Sequence, residues 1–186
     1  TDIIVVGGGI MGLLTARELT RAGRKVLLLE KGQPGAGTTW ASAGIISPHG
    51  SSGAADLAGE AGRRMRLPSY DMWLNLPEAI LEESGVDVEF RLPGVFLLAL
   101  NEEEKAGILE KAESRQWGDT EWIEPDRLAA EEPLLAKNLS GAWLVQGGNV
   151  EVRRLGPALE IACRRAGVEI RTGVFTQEIL AEGDRV

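Results

Sequence analysis

Residues 2–31 read DIIVVGGGIMGLLTARELTRAGRKVLLLEK, and the fold is decided in this stretch. The run Ile3-Ile4-Val5-Val6 is short, β-branched and stopped by glycine. That is the pattern of a strand buried on both faces in a parallel sheet. Gly7-Gly8-Gly9-Ile10-Met11-Gly12 follows, a complete G-x-G-x-x-G. Leu13, Leu14, Ala16, Leu19 and Ala22 then recur near helical spacing until Gly23 stops the helix. Residues 25–29 form a second apolar run, ended by Glu30. Strand, Gly-rich turn, helix and second strand in immediate succession predict the first crossover of a parallel α/β sheet.

Each loop glycine has its own reason. Gly7 permits the tight turn from strand to helix. Gly9 lets a pyrophosphate approach the backbone. Gly12 lets the helix pack close to the strand. The helix starting near Ile10 turns free N–H groups and the positive end of its dipole toward the phosphates. Glu30 stands 18 residues beyond Gly12, at the end of the second strand. A carboxylate there accepts hydrogen bonds from ribose hydroxyls and repels a 2′-phosphate, which disfavours NADP. The stretch reads as a dinucleotide site, with a purely structural turn as the bland alternative. By itself it leaves FAD and NAD open.

The next segment separates them. Residues 31–46 read KGQPGAGTTWASAGII, where an NAD enzyme would usually return to a helix and a third strand. This segment is instead small, polar and Gly-rich, so its backbone can lie along an extended ligand. Thr38 and Thr39 offer hydroxyls, and residues 41–44 offer small surfaces and amides. An ordinary buried turn into a strand is the alternative for residues 43–46.

These residues resemble the glycine oxidase and D-amino acid oxidase family of flavoproteins. The likeness rests on the GGGIMG loop, Glu30-Lys31 and the G-x-G-T-T-W-A-S-A-G-I run. It continues through residues 82–88, 94–100 and 147–152, and so covers nearly the whole chain. It implies FAD as cofactor and a Rossmann-like α/β FAD-binding domain of GR2 type, carrying an inserted mixed α+β substrate domain. Residues 1–48 would begin the FAD-binding domain, 49–150 would form the substrate-domain segment, and 151–186 would return to the FAD-binding domain. By position, Ile10 and Met11 would offer amides to the pyrophosphate, and Glu30 and Lys31 would flank the adenosine ribose. Thr38 and Thr39 would lie along the phosphates. Ala43, Gly44 and Ile45 would approach the isoalloxazine, and Val174 would meet the adenine through its backbone.

Composition narrows the function. The formal charge of −8 repels a nucleic-acid backbone. One Cys and one His exclude an intrachain disulfide and His-rich metal sites. No run of about 18 apolar residues is present to span a membrane, and the five-residue apolar opening is not a signal peptide. No metal site is expected.

Farther along, residues 50–62 are small and low in complexity, a surface loop or a lid. Residues 67–84 suggest helix with Pro77 forcing a kink or a second start, and residues 86–90 and 94–100 read as strands. Residues 101–115 are a charged helix with Asn101 and Glu104 in a loose capping pattern. Residues 121–123 and 141–146 are short strands, and Pro125 sits in the first turn of another helix. Residues 153–166 form an amphipathic helix closed by Gly167. Residues 168–171 are a strand expected beside residues 25–29, followed by a small β-meander. Cys163 reads as a core residue. His49 is a loop residue or lies near the flavin face. The five tryptophans read as core or domain contacts, with Trp40 near the cofactor.

The resemblance implies oxidation of a small amino acid or amine such as glycine, sarcosine or a D-amino acid. The imine hydrolyses to a keto or aldehyde acid and ammonia, and dioxygen yields hydrogen peroxide. It further implies a cytoplasmic homo-oligomer, with the glycine oxidase branch serving thiamine biosynthesis. Family members are about twice this length, with their carboxylate-binding Arg in the second half, so no catalytic residue is assigned. The chain is expected to be incomplete at its C-terminus. A sarcosine oxidase, D-amino acid dehydrogenase or heteromeric subunit, and a non-catalytic nucleotide module, are the alternatives.

Overall fold

The computed structural model describes residues 1–48, 59–115 and 120–180. His49, Trp117 and residues 50–58 of the low-complexity stretch lie outside them. The elements run β1 (Ile3–Val6), α1 (Ile10–Arg21), β2 (Val26–Glu30), α2 (Thr38–Ala41), β3 (Ile45–Ile46), α3 (Gly59–Trp73) and α4 (Leu76–Ser84). They continue with β4 (Val95–Ala99), α5 (Glu102–Arg115), β5 (Glu121–Ile123), α6 (Pro125–Glu131), β6 (Gly141–Val145), β7 (Gly148–Asn149), α7 (Val152–Ala166) and β8 (Glu169–Thr172).

The chain divides into two compact units. One comprises Thr1–Gly44, Asn75–Phe90 and Val150–Val186, and the other Ile45–Leu74 and Arg91–Asn149. The sequence reading runs the inserted segment unbroken over residues 49–150. The structure instead packs residues 75–90 with the first unit, because α4 lies against α7. It also begins the second unit at Ile45.

In the first unit β1, β2 and β8 form a parallel sheet in the order β1-β2-β8. The expected pairing of residues 168–171 beside residues 25–29 is present, as Leu28 opposite Ile170. One face is buried by α1 and α7: Leu13, Leu28, Leu155, Leu159 and Cys163 are buried there. Each full burial of a large aliphatic side chain is worth about 1.5–3 kcal/mol. Ile4 and Val6, alternating onto the other face of β1, are 52% and 53% exposed.

A buried ion pair ties α4 to α1. Arg17 is 2% exposed. Its Nε and Nη2 donate to the two carboxylate oxygens of Glu83 at 2.6 Å each, and a further nitrogen donates to Glu18. The Glu83 hydrogen bonds hold the guanidinium above its ordinary pKa, against the opposing cost of burial. Nearby, the Cys163 Sγ donates to the Leu13 carbonyl at 3.2 Å, and burial pushes its thiol up to about 11.

The second unit holds an antiparallel sheet in the order β4-β6-β5 and a short ladder of β3 with β7. Leu97, Ala99, Ile108 and Val145 form one core on the β4-β6-β5 sheet, and Ile123, Leu128, Leu139 and Ala142 a second. Asn101 caps α5 as the sequence suggests: its Oδ1 accepts from the Glu104 N–H at 2.9 Å, and the Glu104 carboxylate accepts from the Leu100 N–H.

Two local readings change, and one alternative is decided. Residues 86–90 form no strand. Glu89 has a φ of 52°, the Val88 carbonyl accepts from the Glu151 N–H, and the Glu89 carboxylate pairs with Arg154, but no ladder forms along the segment. Of the kink or second start expected at Pro77, the structure has the second start: α3 ends at Trp73 and α4 begins at Leu76, with Pro77 in its first turn, where its missing N–H costs nothing. Among the described residues, 173–180 carry no strand of a meander.

Candidate cofactor site

The site forms where β1 runs into α1. Gly7 has a φ of 100°, which a side chain rarely adopts. A Cβ at Gly12 would stand 1.8 Å from the Gly7 carbonyl oxygen, so only glycine lets α1 lie this close to the turn. Gly9 is different. Its φ of −73° is ordinary, and a Cβ there would meet only the Thr39 Oγ1, at 3.5 Å. Neither conformation nor packing within the chain demands glycine at position 9. Its lack of a side chain leaves the first turn of α1 open, as a pyrophosphate bound there would require.

The helix end is capped from afar. Gly9 has no side chain to cap α1, and the Ile10 N–H donates instead to the Thr39 Oγ1 at 3.0 Å. Thr39 is buried on α2, a short helix within the segment the sequence reads as small, polar and Gly-rich. Helix geometry leaves the next amides, those of Met11 and Gly12, without intrahelical acceptors.

Glu30 gathers the rest. Its Oε2 accepts from the Gly8 N–H at 2.6 Å and its Oε1 from the Gly32 N–H at 2.7 Å. Its backbone carbonyl accepts from the Val174 N–H at 3.0 Å. The Gly8 carbonyl accepts from the Gly35 N–H at 2.7 Å. Each carboxylate oxygen retains acceptor capacity beyond these bonds. Hydrogen bonds therefore bring together the 7–12 loop, Glu30, Thr39 and Val174. Lys31, Thr38, Met11 and Ala43 are exposed beside them in sequence.

Gly44 has a reason internal to the fold. Its carbonyl accepts from the Val150 N–H at 3.0 Å, and a Cβ would stand 2.2 Å from the Val150 carbonyl oxygen. Ile45, the next residue, is 61% exposed. Trp40 lies under the Arg153 guanidinium, 5.7 Å from the ring centroid.

Sequence reasoning passed over Gly8, Gly32 and Gly35. Gly8 occupies a variable position of the motif, and only its bond to Glu30 reveals it. Gly35 packs on Gly156 of α7, with a would-be Cβ 2.6 Å from the Gly156 Cα. No local pattern carries that contact. Among the described residues no group of three His, Cys, Asp or Glu is arranged to hold a metal ion. None of the described helices is long and apolar enough to cross a membrane.

Known proteins match this arrangement throughout. The chain is 30% identical to glycine oxidase of Pseudomonas aeruginosa over 99% of its own length and 49% of that protein. It is 31% identical to the mitochondrial dimethylglycine dehydrogenase of Rattus norvegicus over 91% of this chain and 19% of that one. The crystal structure of glycine oxidase from Bacillus cereus superposes with a TM-score of 0.84 at 25% identity, covering 98% of this chain and 50% of that one. The chain thus spans about half the length of the glycine oxidases it matches. The open ground over Gly9 suits the diphosphate of FAD, and the model of the FAD-dependent oxidoreductase (DAO) family matches residues 2–186: the chain belongs to that family, whose cofactor is FAD.

Proposed function

We propose that the whole protein oxidises a small amino acid or amine with FAD. The observation that carries this reading is the open approach to α1 over Gly9, beside Glu30, in a chain of the FAD-dependent oxidoreductase family. FAD held there would supply a two-electron acceptor for the amine carbon; the imine so formed would hydrolyse to a keto or aldehyde acid and ammonia, and dioxygen would take the two electrons and two protons as hydrogen peroxide.

The work of this chain is to bind and to orient. Gly7, Gly9 and Gly12 shape the loop, and the amides of Met11 and Gly12 face the pyrophosphate at the positive end of α1, while that of Ile10, which the sequence assigns to the same role, is held by Thr39. Thr39, already bonded to Ile10, holds the 38–39 segment against that helix end. Glu30 takes the ribose hydroxyls, with Lys31 beside it. Ala43, Gly44 and Ile45 lead toward the isoalloxazine, and the Val174 backbone, fixed to Glu30, borders the adenine.

A second reading is favoured by the similarity to dimethylglycine dehydrogenase: removal of an N-methyl group from a secondary or tertiary amine, with an electron acceptor other than dioxygen. One experiment covers both. Purified full-length protein is scanned for flavin absorbance and then assayed for peroxide and for dye reduction on glycine, sarcosine, dimethylglycine and D-alanine. Peroxide from glycine or D-alanine supports the first reading. Dye reduction with formaldehyde from the methylated amines supports the second. Protein free of flavin defeats both. Glu30→Ala should weaken FAD retention by about 1–3 kcal/mol, the scale of a charge-assisted hydrogen bond.

A further inference from the structure

α7 meets the segment behind the cofactor loop backbone to backbone. Gly156, buried on α7, lies against Gly35. A Cβ at Gly35 would stand 2.6 Å from the Gly156 Cα, and a Cβ at Gly156 would stand 3.0 Å from the Gly35 Cα. Both are closer than carbon atoms pack. Of residues 31–43, the buried ones are Pro34, Gly35 and Thr39. Gly35 is also where the hydrogen bonds of the cofactor site divide. Its N–H donates to the Gly8 carbonyl at 2.7 Å, and the Gly8 N–H donates to Glu30 at 2.6 Å. Its carbonyl accepts from the Trp40 N–H at 3.1 Å, on the one turn of α2 whose Thr39 accepts from the Ile10 N–H. One arm ends on the carboxylate proposed above for the ribose, the other on the helix end proposed for the pyrophosphate.

α7 itself is pinned. Leu155, Ala158, Leu159 and Ala162 are buried beside the contact, where α7 packs on α1 and α4. Its first turn is capped by Glu151, which accepts from the Arg153 N–H at 3.0 Å. A methyl group at position 156 is therefore absorbed by the turn around Gly35 and not by the helix. Helix propensity alone favours alanine there; the glycine answers to the loop. We propose that Gly156 is a positioning residue for the cofactor: by letting Gly35 rest on α7, it sets where Gly8, Glu30 and α2 meet the adenosine diphosphate half of FAD. This role rests on the FAD site proposed above and not on the amine that is oxidised. Pro157 is the competing cause of the glycine, since a proline ring crowds the residue before it.

The test uses full-length protein stripped of flavin with potassium bromide. FAD is titrated by flavin fluorescence, and ADP, which carries the adenosine diphosphate half alone, by competition. Gly156→Ala should lose about tenfold in affinity for FAD and about the same factor for ADP, the scale of one weakened hydrogen bond. Its flavin-free urea midpoint should stay at the wild-type value or above. Gly107→Ala on α5, where a Cβ meets nothing within 4 Å, should change neither affinity by more than about twofold. Gly156→Ala combined with Pro157→Ala should keep the loss. Coupling is reciprocal, so ADP should slow amide exchange at residues 154–158 of the wild type by about threefold or more. Unchanged affinities in Gly156→Ala, a loss for FAD without one for ADP, recovery in the double variant, or lowered stability with affinity intact overturns the positioning role. Exchange at 154–158 that ignores ADP also overturns it, and decides the question if Gly156→Ala does not fold. Any of these in protein that binds FAD leaves the function standing. Wild type that binds neither FAD nor ADP defeats both.

Discussion

The β4-β6-β5 sheet carries two cores, built around Leu97 and Val145 on one side and around Ile123 and Ala142 on the other. The β1-β2-β8 sheet is buried on one face only. Ile4 and Val6 look outward, and β1 pairs with β2 alone among the described residues. The antiparallel sheet is finished by neighbours close in sequence, α5 and α6, which follow strands directly. A parallel sheet depends on distant chain: β8 reaches β2 only after some 140 intervening residues. Parallel sheets are ordinarily covered on both faces, and the glycine oxidases matched here are about twice as long as this chain. The sheet that carries the cofactor loop is therefore the one whose apolar surface is incompletely covered.

The largest effect should come from the loop itself, where two glycines have opposite reasons. Gly12→Val drives a side chain into the Gly7 carbonyl and should abolish folding of the first unit, a loss beyond about 4 kcal/mol. Gly9→Val meets only Thr39 and should leave folding within about 1 kcal/mol of wild type while abolishing flavin retention. Circular dichroism with flavin absorbance separates the two. A Gly9→Val protein that stays yellow through gel filtration removes the cofactor argument.

Next comes the buried ion pair. Glu83→Gln leaves the buried Arg17 guanidinium with Glu18 as its one charged partner among the described residues and should cost about 1.5–3 kcal/mol by urea denaturation. Arg17→Met, which leaves the more exposed Glu83 to water, should cost less. Equal losses would show that the helix contact, not the charge, sets the energy.

A smaller effect sharpens the comparison of the sheets. Ile4→Ser with Val6→Thr should change the stability of the 186-residue chain by under about 1 kcal/mol and reduce its self-association by sedimentation. In the longer protein the same pair should cost about 1–3 kcal/mol if that face becomes covered. Indifference in both would mean the face is solvated throughout.

The smallest concerns Cys163. Its thiol is raised to about 11, so the folded state keeps a proton that the unfolded chain releases near its ordinary value. The stability this contributes is present below about pH 9 and fades as pH rises toward 11. Folded protein should resist iodoacetamide at pH 9 and react once unfolded in urea. Rapid alkylation of folded protein contradicts the buried placement.

The first crossover was legible because its signals are local. A β-branched run, three spaced glycines and a terminal acid lie within one βαβ unit, and each reports a backbone or packing need of its immediate neighbours. The same locality explains the misreading of residues 86–90. Their alternation V-D-V-E-F is a strand pattern, yet Glu89 turns to a positive φ and the segment carries no ladder. Placement of residues 75–90 with the first unit depends on α4 meeting α7 and on Arg17 meeting Glu83, partners 66 residues apart.

By itself the sequence determined the parallel β1-α1-β2 start, the glycine loop and the acid at position 30, and its likeness to a flavoprotein family, since these are written in short-range spacing. Only the tertiary structure decided that Thr39 caps α1 through Ile10, that Glu30 already holds Gly8 and Gly32, and that Gly35 must pass against Gly156. Such contacts join residues far apart in the chain, and their energy comes from close approach and hydrogen-bond geometry that no periodicity along the sequence records.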